Sequence, residues 1–418
     1  MEYVAVSENN IPVISEYDVL VLGGGPAGVS AAISAAKTGA KTALVERYGY
    51  LGGQATGGLV ILLVGLTDGN ERIIKGFCED TINALEKNST IKNIGRHVLF
   101  DAEAMKYLFD CFLQEYRVTP FYHSFTSEVV MSENRITGAV IDGKSGRRII
   151  KAKTFVDATG DADLAKFCNV PFDMESKPSI LPVTLGFRVG GLDTAIVQNF
   201  INENFDLYRN LLKNIGISTK MGGWLPTLNK DEAWFNISHI ENIDVTDSDE
   251  LTRAEILGRK QIQQVMKSFK ENIRGFENAY LIDTASQIGA RESRRIKGLY
   301  RFTAEDTSTE FVDEIAKAPN YTGVGKGSVS VPYRCLISEK VSNLIFSGRC
   351  ISVEHDLIDM FREIPCCFAT GQAAGIAASI AAKKEISVQN VDIQELQQKL
   401  LSQGAFLSDR VVVNTSKG

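Results

Sequence analysis

The sequence has little from which a metal centre or a disulfide framework could be built. Only 4 histidines occur among 418 residues. None has a cysteine or second histidine at ligand spacing, which removes the usual basis for a structural zinc or a catalytic metal. The 7 cysteines, Cys78, Cys111, Cys168, Cys335, Cys350, Cys366 and Cys367, form neither an even framework nor a Cys-x-x-Cys pair, so free thiols are expected. Cys366 and Cys367 are adjacent, a spacing that disfavours an unstrained disulfide and points to core packing. A basic footprint is missing too. The formal net charge is −6, and no long basic run offers a surface for nucleic acid or anionic membrane. Near the start, the longest apolar stretch is Leu59 to Val64, too short to span a bilayer, and the first ten residues lack a basic-then-apolar leader pattern. The expectation is a cytoplasmic protein with a small-molecule substrate, no nucleic-acid or membrane partner, and a homo-oligomer among its expected states.

What is present is an ordinary globular composition, 44% hydrophobic, enough to bury a substantial core in two or more domains. No internal repeat or low-complexity segment interrupts it. Ile11 to Tyr17 leads into Asp18-Val-Leu-Val-Leu22, an apolar run suited to a buried parallel strand. A small-residue helix is expected from Pro26 to Thr38, with Gly39 near its C-terminus, and a second strand over Lys41 to Glu46. Together these make one βαβ unit. Asp101 to Tyr116 reads as an amphipathic helix. Val129 to Met131, Ile136 to Ile141 and Arg148 to Asp157 read as a meander returning to the main sheet. From Asp173 to Ser330 the pattern shifts to mixed strands, aromatics and long charged helices, one of them over Asp249 to Glu271. Leu344 to Ser347 reads as a buried strand again, Pro365 to Ala382 as a helix dense in Ala and Gly, and Asp392 as the N-cap of a peripheral helix ending near Leu401. The final residues read as a strand or a loose tail.

Gly23, Gly25 and Gly28 carry the first chemical signal, because they fall between a strand and a helix. The first permits a tight turn, the second lets backbone approach a pyrophosphate, and the third lets the helix pack on its strand. Pro26 and Ala27 then open a helix whose unpaired N–H groups face the phosphates. Glu46 lies at the end of the next strand, where a carboxylate accepts ribose hydroxyls, with Arg47 beside it. A glycine turn without a ligand is the bland alternative, disfavoured by this combination.

NAD and FAD share that fingerprint, and three later segments bear on which is bound. Gly52, Gly53 and Gln54 supply a second close-approach turn. Thr159, Gly160 and Asp161 end an apolar strand in a small turn that can run beside a cofactor, the alternative being that Asp161 merely caps the next helix. Gly348 and Arg349 precede the small-residue helix containing Gly371, whose positive end would favour an anionic reduced flavin; a close-packed core helix is the alternative. No second complete glycine fingerprint exists for NAD(P), which disfavours a dithiol reductase with two nucleotide domains.

The run from Ile11 through Gly28 resembles the opening of the FAD-dependent oxidoreductase family, within the glutathione-reductase-like flavoproteins. Further matches are Leu51-Gly-Gly-Gln54, Asp157-Ala-Thr-Gly-Asp-Ala-Asp163, Arg291-Glu-Ser-Arg-Arg295, Val331-Pro-Tyr-Arg-Cys-Leu336, Asn343-Leu-Ile-Phe-Ser-Gly-Arg349 and Thr370-Gly-Gln-Ala-Ala-Gly375, spread over nearly the whole chain. The resemblance implies non-covalent FAD and an α/β fold: a discontinuous Rossmann-type FAD-binding domain, residues 1–172 and 331–385, with an inserted α+β substrate domain over 173–330 and a peripheral segment over 386–418. By the same resemblance the backbone of Val129 contacts the adenine. After His355 the chain departs from the commoner small apolar pattern, since Asp356, Asp359 and Glu363 make that loop acidic.

Catalytic candidates are His355, to supply a proton, and Arg362, to anchor an anionic substrate, as fumarate-reductase-like relatives use His and Arg in a comparable region. Strand alternation through Arg291-Glu-Ser-Arg-Arg295 would place Arg291, Ser293 and Arg295 on one face, to support flavin or substrate anion; an ion-paired boundary strand is the alternative. Trp224 and Trp234 are candidates for lining a substrate pocket. The leading functional expectation is hydride transfer between FAD and a small organic substrate, with a separate electron donor or acceptor. A redox-neutral flavin lyase or isomerase and an electron-relay subunit are the other classes.

Overall fold

The computed structural model describes residues 10–217, 223–322 and 327–411. Strand β1 (Val13–Leu22) shows why its second half is so apolar: Val19, Leu20, Val21 and Leu22 are fully buried, because strands flank it on both sides, helices cover the face of Val19 and Val21, and meander residues such as Val129, Ile136 and Ile141 cluster with Leu20 and Leu22 on the other. Helix α1 (Pro26–Lys37) and strand β2 (Thr42–Val45) complete the expected βαβ unit. Gly39 has φ +88°, the left-handed turn that ends the helix.

Helix α2 (Ala102–Glu115) begins where Asp101 accepts the Ala104 N–H at 2.8 Å. It leads to β3 (Thr119–Phe121), and the meander follows as β4 (Phe125–Ser132), β5 (Arg135–Gly143) and β6 (Gly146–Asp157). The path of the 7-stranded sheet runs β3-β2-β1-β6-β5-β4. Pairing is parallel among β3, β2, β1 and β6 and antiparallel from β6 outward. Short helix α3 (Asp163–Phe167) leaves the end of β6.

Between residues 187 and 284 the chain builds a separate 4-stranded antiparallel sheet from β7 (Phe187–Gly190), β8 (Gly223–Pro226), β9 (Glu232–Asn236) and β10 (Tyr280–Thr284). Helix α4 (Ser248–Asn272) covers the expected charged stretch. It buries a stripe through Ala254, Gly258, Ile262, Val265 and Phe269, at the spacing of one helical face. Asp247 caps it through the N–H groups of Asp249 and Glu250.

Strand β11 (Leu344–Phe346) returns to the first sheet and pairs in parallel with β6, Leu344 with Phe155 and Phe346 with Asp157. Helix α5 (Ile364–Lys384) then packs along α1. It is the one helix among the described residues long and apolar enough to cross a membrane, but 94% of its apolar window is buried inside the protein, as befits a core helix covered on every side. Helix α6 (Ile393–Ser402) is capped by Asp392. The expectation of a terminal strand or loose tail concerns the residues after this helix; those described, up to Val411, include no strand, and 412–418 lie outside the described residues.

One element is corrected. Arg291 to Arg295 does not form a strand; only Arg295–Ile296 pair, antiparallel to Phe172–Asp173. The preceding residues follow their side-chain partners instead. Ser293 and Arg294 turn to the Asp161 to Asp163 segment, and Glu292 and Arg295 turn to each other.

Candidate functional site

A cavity of about 860 Å³ runs from the β1–α1 turn to the loop before α5, within the size range of ligand pockets. The three fingerprint glycines meet it in three ways. Gly23 has φ +98°, and a β-carbon there would stand 2.4 Å from the Ala158 oxygen. A β-carbon on Gly25 would meet nothing within 4 Å, because that position opens onto the cavity. Gly28 does not line it: a β-carbon there would stand 1.8 Å from the Gly23 oxygen, so this glycine serves helix packing. Pro26 and Ala27 line the cavity where α1 begins without a side-chain cap.

Glu46 is buried at the end of β2. Its carboxylate accepts the Gly24 N–H at 2.7 Å and the Tyr48 N–H at 2.9 Å, leaving acceptor capacity for a ligand. Burial raises its proton affinity, and the two backbone donors pull it back down. Arg47 lines the cavity beside it. Gly53 and Gln54 also face in, and a β-carbon on Gly53 would stand 2.9 Å from the Gly25 α-carbon, so the two turns nearly touch. Gly52 does not face in; with φ +100° it turns the chain over Thr56. Val129 likewise lies outside the lining, paired with Ala139, while Ser124, Phe125 and Thr126 at the start of β4 face the cavity.

Thr159, Gly160 and Asp161 line the middle of the cavity. The helix α3 N-terminus is satisfied by Asp157, not Asp161: the buried Asp157 carboxylate accepts from Leu164 N–H at 2.9 Å and from the Thr159 hydroxyl at 2.7 Å. Burial, reinforced by the Asp163 charge, pushes Asp157 up to about 7. Asp161 is left to receive Arg349 Nη2 at 2.6 Å and the Ser293 hydroxyl at 2.7 Å. Arg349 lines the cavity, and its Nη1 has no partner among the described residues. Gly348 lines it too, whereas Gly371 does not: a β-carbon on Gly371 would stand 2.2 Å from the Ala27 oxygen, which assigns that glycine to the α1–α5 contact.

At the other end the lining gathers Arg291, Asp359, Arg362 and Glu363. Arg291 Nη1 donates to the Pro182 carbonyl at 2.5 Å and the Thr184 hydroxyl at 2.6 Å, and no acid among the described residues reaches it at ion-pair distance. Burial and the neighbouring Arg362 charge lower its pKa to about 10. Arg362 donates through Nε to Asp359 at 2.8 Å. Glu363 precedes α5 and makes no cap; burial raises its pKa, with Arg362 and Arg291 opposing and Asp359 adding to the rise. Sequence reasoning set Glu363 aside as loop acidity. Its signal was its place immediately before the small-residue helix.

His355 and Arg295 stand apart from this cluster, contrary to their expected position. Arg295 is 1% exposed, with Nη1 at 3.0 Å from Glu292 and Nη2 at 2.9 Å from Glu175. His355 Nδ1 lies 2.9 Å from the same Glu292 carboxylate. A buried carboxylate must have its acceptors satisfied, and Glu292 takes both side chains as partners away from the cavity. Trp224 and Trp234 do line it, on the side of the second sheet.

Comparison with known proteins fits this geometry. Residues 18–400 match the family described as FAD dependent oxidoreductase. A 42-residue stretch, 10% of this chain, is 60% identical to dihydrolipoyl dehydrogenase of Trypanosoma brucei brucei; the match takes in 9% of that enzyme. Among solved structures, an aromatic hydroxylase from angucycline biosynthesis, CabE, is similar at a TM-score of 0.50 and 11% identity, over 96% of this chain and 72% of that one. A geranylgeranyl bacteriochlorophyll reductase-like protein from Thermoplasma acidophilum is similar at 0.48 and 14%, over 96% and 87%. At 11% identity the likeness to CabE is one of fold. The family match covers most of the sequence, and the chain belongs to the FAD-dependent oxidoreductase family.

Proposed function

We propose that the protein binds FAD non-covalently in this cavity and transfers a hydride between the flavin and a small organic anion held by Arg291 and Arg362. The observation that carries the reading is Arg291: a half-buried guanidinium facing the cavity with no acid among the described residues at ion-pair distance. Asp359 and Glu363 offset its charge only from a distance, and an anionic ligand would complete the pairing.

The cofactor end fits FAD on features of the chain itself. Gly25 leaves a cradle that any side chain would fill, and beside it Arg349 Nη1 is a buried donor without a partner among the described residues. Pro26, Ala27, Gly53, Gly160 and Gly348 bring backbone to the same space. Glu46, fixed by two backbone N–H groups, presents acceptors for ribose hydroxyls, with Arg47 and Thr126 further along. FAD supplies a two-electron carrier that exchanges hydride at N5, and a separate electron donor or acceptor completes the cycle.

The residues of the chain provide the rest. Arg291 is fixed by Pro182 and Thr184, and Arg362 by Asp359, so both guanidinium groups are oriented before a substrate arrives. Glu363, with its raised proton affinity, is the group that exchanges the proton accompanying hydride transfer.

Anaerobic mixing of the purified holoprotein with a panel of small carboxylates tests the proposal. Substrate-dependent bleaching of the flavin, or reoxidation of the reduced protein, is the expected result. Arg362→Ala should lower that rate at least about tenfold while leaving FAD retained, as expected for loss of a charged hydrogen bond. Redox-neutral conversion without flavin reduction, or activity only with a protein partner, would overturn it.

A further inference from the structure

The wall of the cavity formed by the second sheet carries two hydrogen-bond donors that nothing among the described residues satisfies. Trp234 is 5% exposed and Gln287 is 6% exposed, and both line the cavity. Neither Trp234 Nε1 nor Gln287 Nε2 has a partner among the described residues. Buried donors are paired almost without exception in folded proteins, so two orphans on one wall call for an acceptor from outside the chain.

The segment Thr184 to Gly186 sets the distance between these donors and the anion anchor. Thr184 and Gly186 face the cavity, whereas Leu185 between them is fully buried, with its N–H bonded to Ser238 Oγ; this is the alternation of an extended chain. Thr184 Oγ1 holds Arg291 at 2.6 Å. A β-carbon on Gly186 would lie 3.5 Å from Trp234 Nε1, so the indole N–H sits against the bare face of that glycine. Two residues of extended chain span roughly 7 Å, about the length of one six-membered ring with a substituent at each end. The cavity lining adds apolar surface from Trp224, Leu225, Val245, Leu251 and Ile288, with Asn236, His239 and Glu241 as its polar members from the same segments.

We propose that this wall is a carbonyl-recognition subsite, selecting flat, largely apolar carboxylates that carry a carbonyl oxygen one ring away from the carboxylate. The oxygen accepts from Trp234 Nε1–H and Gln287 Nε2–H, and the carboxylate occupies the Arg291 and Arg362 anchor, so the inference rests on the anion reading given above. The class comprises aromatic or ring-conjugated keto and formyl acids.

Equilibrium binding to the oxidised holoprotein, read from perturbation of the flavin absorption, tests it with benzoate, acetophenone and para-acetylbenzoate. The wild-type protein should bind para-acetylbenzoate about tenfold more tightly than benzoate. Trp234→Phe and Gln287→Met, each removing one donor while preserving bulk, should cut that advantage to roughly twofold or less and leave benzoate affinity unchanged. Equal binding of benzoate and para-acetylbenzoate by the wild type would overturn the subsite while leaving the anion anchor standing. So would an unchanged advantage in both variants. If acetophenone binds and Trp234→Phe weakens it while neither carboxylate binds, the subsite stands and the anchor falls. Loss of FAD from both variants would give the two donors to the flavin and overturn the proposal.

Discussion

A β-carbon placed on Gly371 would stand 2.2 Å from the carbonyl oxygen of Ala27, and one on Gly375 would stand 2.0 Å from that of Ala31. Two glycines one helical turn apart thus let α5 lie directly on the backbone of α1, with Ser30 Oγ donating to the Phe368 carbonyl at 2.6 Å between them. The close approach presses α5 against the helix that opens at the cavity.

Gly371 and Gly25 are therefore predicted to fail in different ways. Gly371→Ala should lower stability by about 1–3 kcal/mol through overpacking, seen as an earlier thermal transition. Gly25 has φ −68° and an open β-carbon direction, so Gly25→Val should fold normally and lose FAD. Measuring melting temperature and bound flavin on both variants checks this; a Gly25→Val protein that keeps its flavin would contradict it.

Arg295 is predicted to be structural. Its guanidinium pairs with Glu292 at 3.0 Å in a fully buried setting, so Arg295→Met leaves a buried carboxylate with His355 and the Leu181 N–H as its remaining partners. The expected cost is roughly 3–5 kcal/mol by denaturant unfolding, with substrate-dependent flavin reduction per folded molecule unchanged. Full stability with lost activity would return Arg295 to the reacting site.

Glu363 predicts the direction of a pH profile. Burial raises its folded-state pKa above the value in the unfolded chain, so the folded protein holds the proton across a window in which the unfolded chain has released it. The associated stability is present at low pH and lost as pH rises through the raised value. A rate that needs the protonated carboxyl should fall over the same window, above the ordinary carboxylate range. Asp359, Arg291 and Arg362 set where that window lies. Glu363→Gln should remove this limb from the pH dependence of flavin reduction; an identical limb in the variant would assign it to another group.

Much of the fold was legible because its signals are local. Apolar strands, the glycine turn and the caps at Asp101 and Asp392 depend on neighbours a few residues away, and the elements formed where expected. The cavity's first turn was legible for the same reason. The arginine segment was not. Alternation through Arg291 to Arg295 presumed a strand, but the competition for Asp161, Asp163 and the buried Glu292 decided where each side chain went, and those partners lie far off in sequence or depend on burial. The place of Gly371 was not legible for a related reason, since a glycine that admits a cofactor and one that admits a neighbouring helix look alike until the helices are packed.

The most direct test of the central claim is to denature the purified protein and identify what it releases. One FAD per chain is predicted, with neither FMN nor a nicotinamide dinucleotide in its place; a folded sample that binds NAD and neither contains nor takes up FAD would contradict the account.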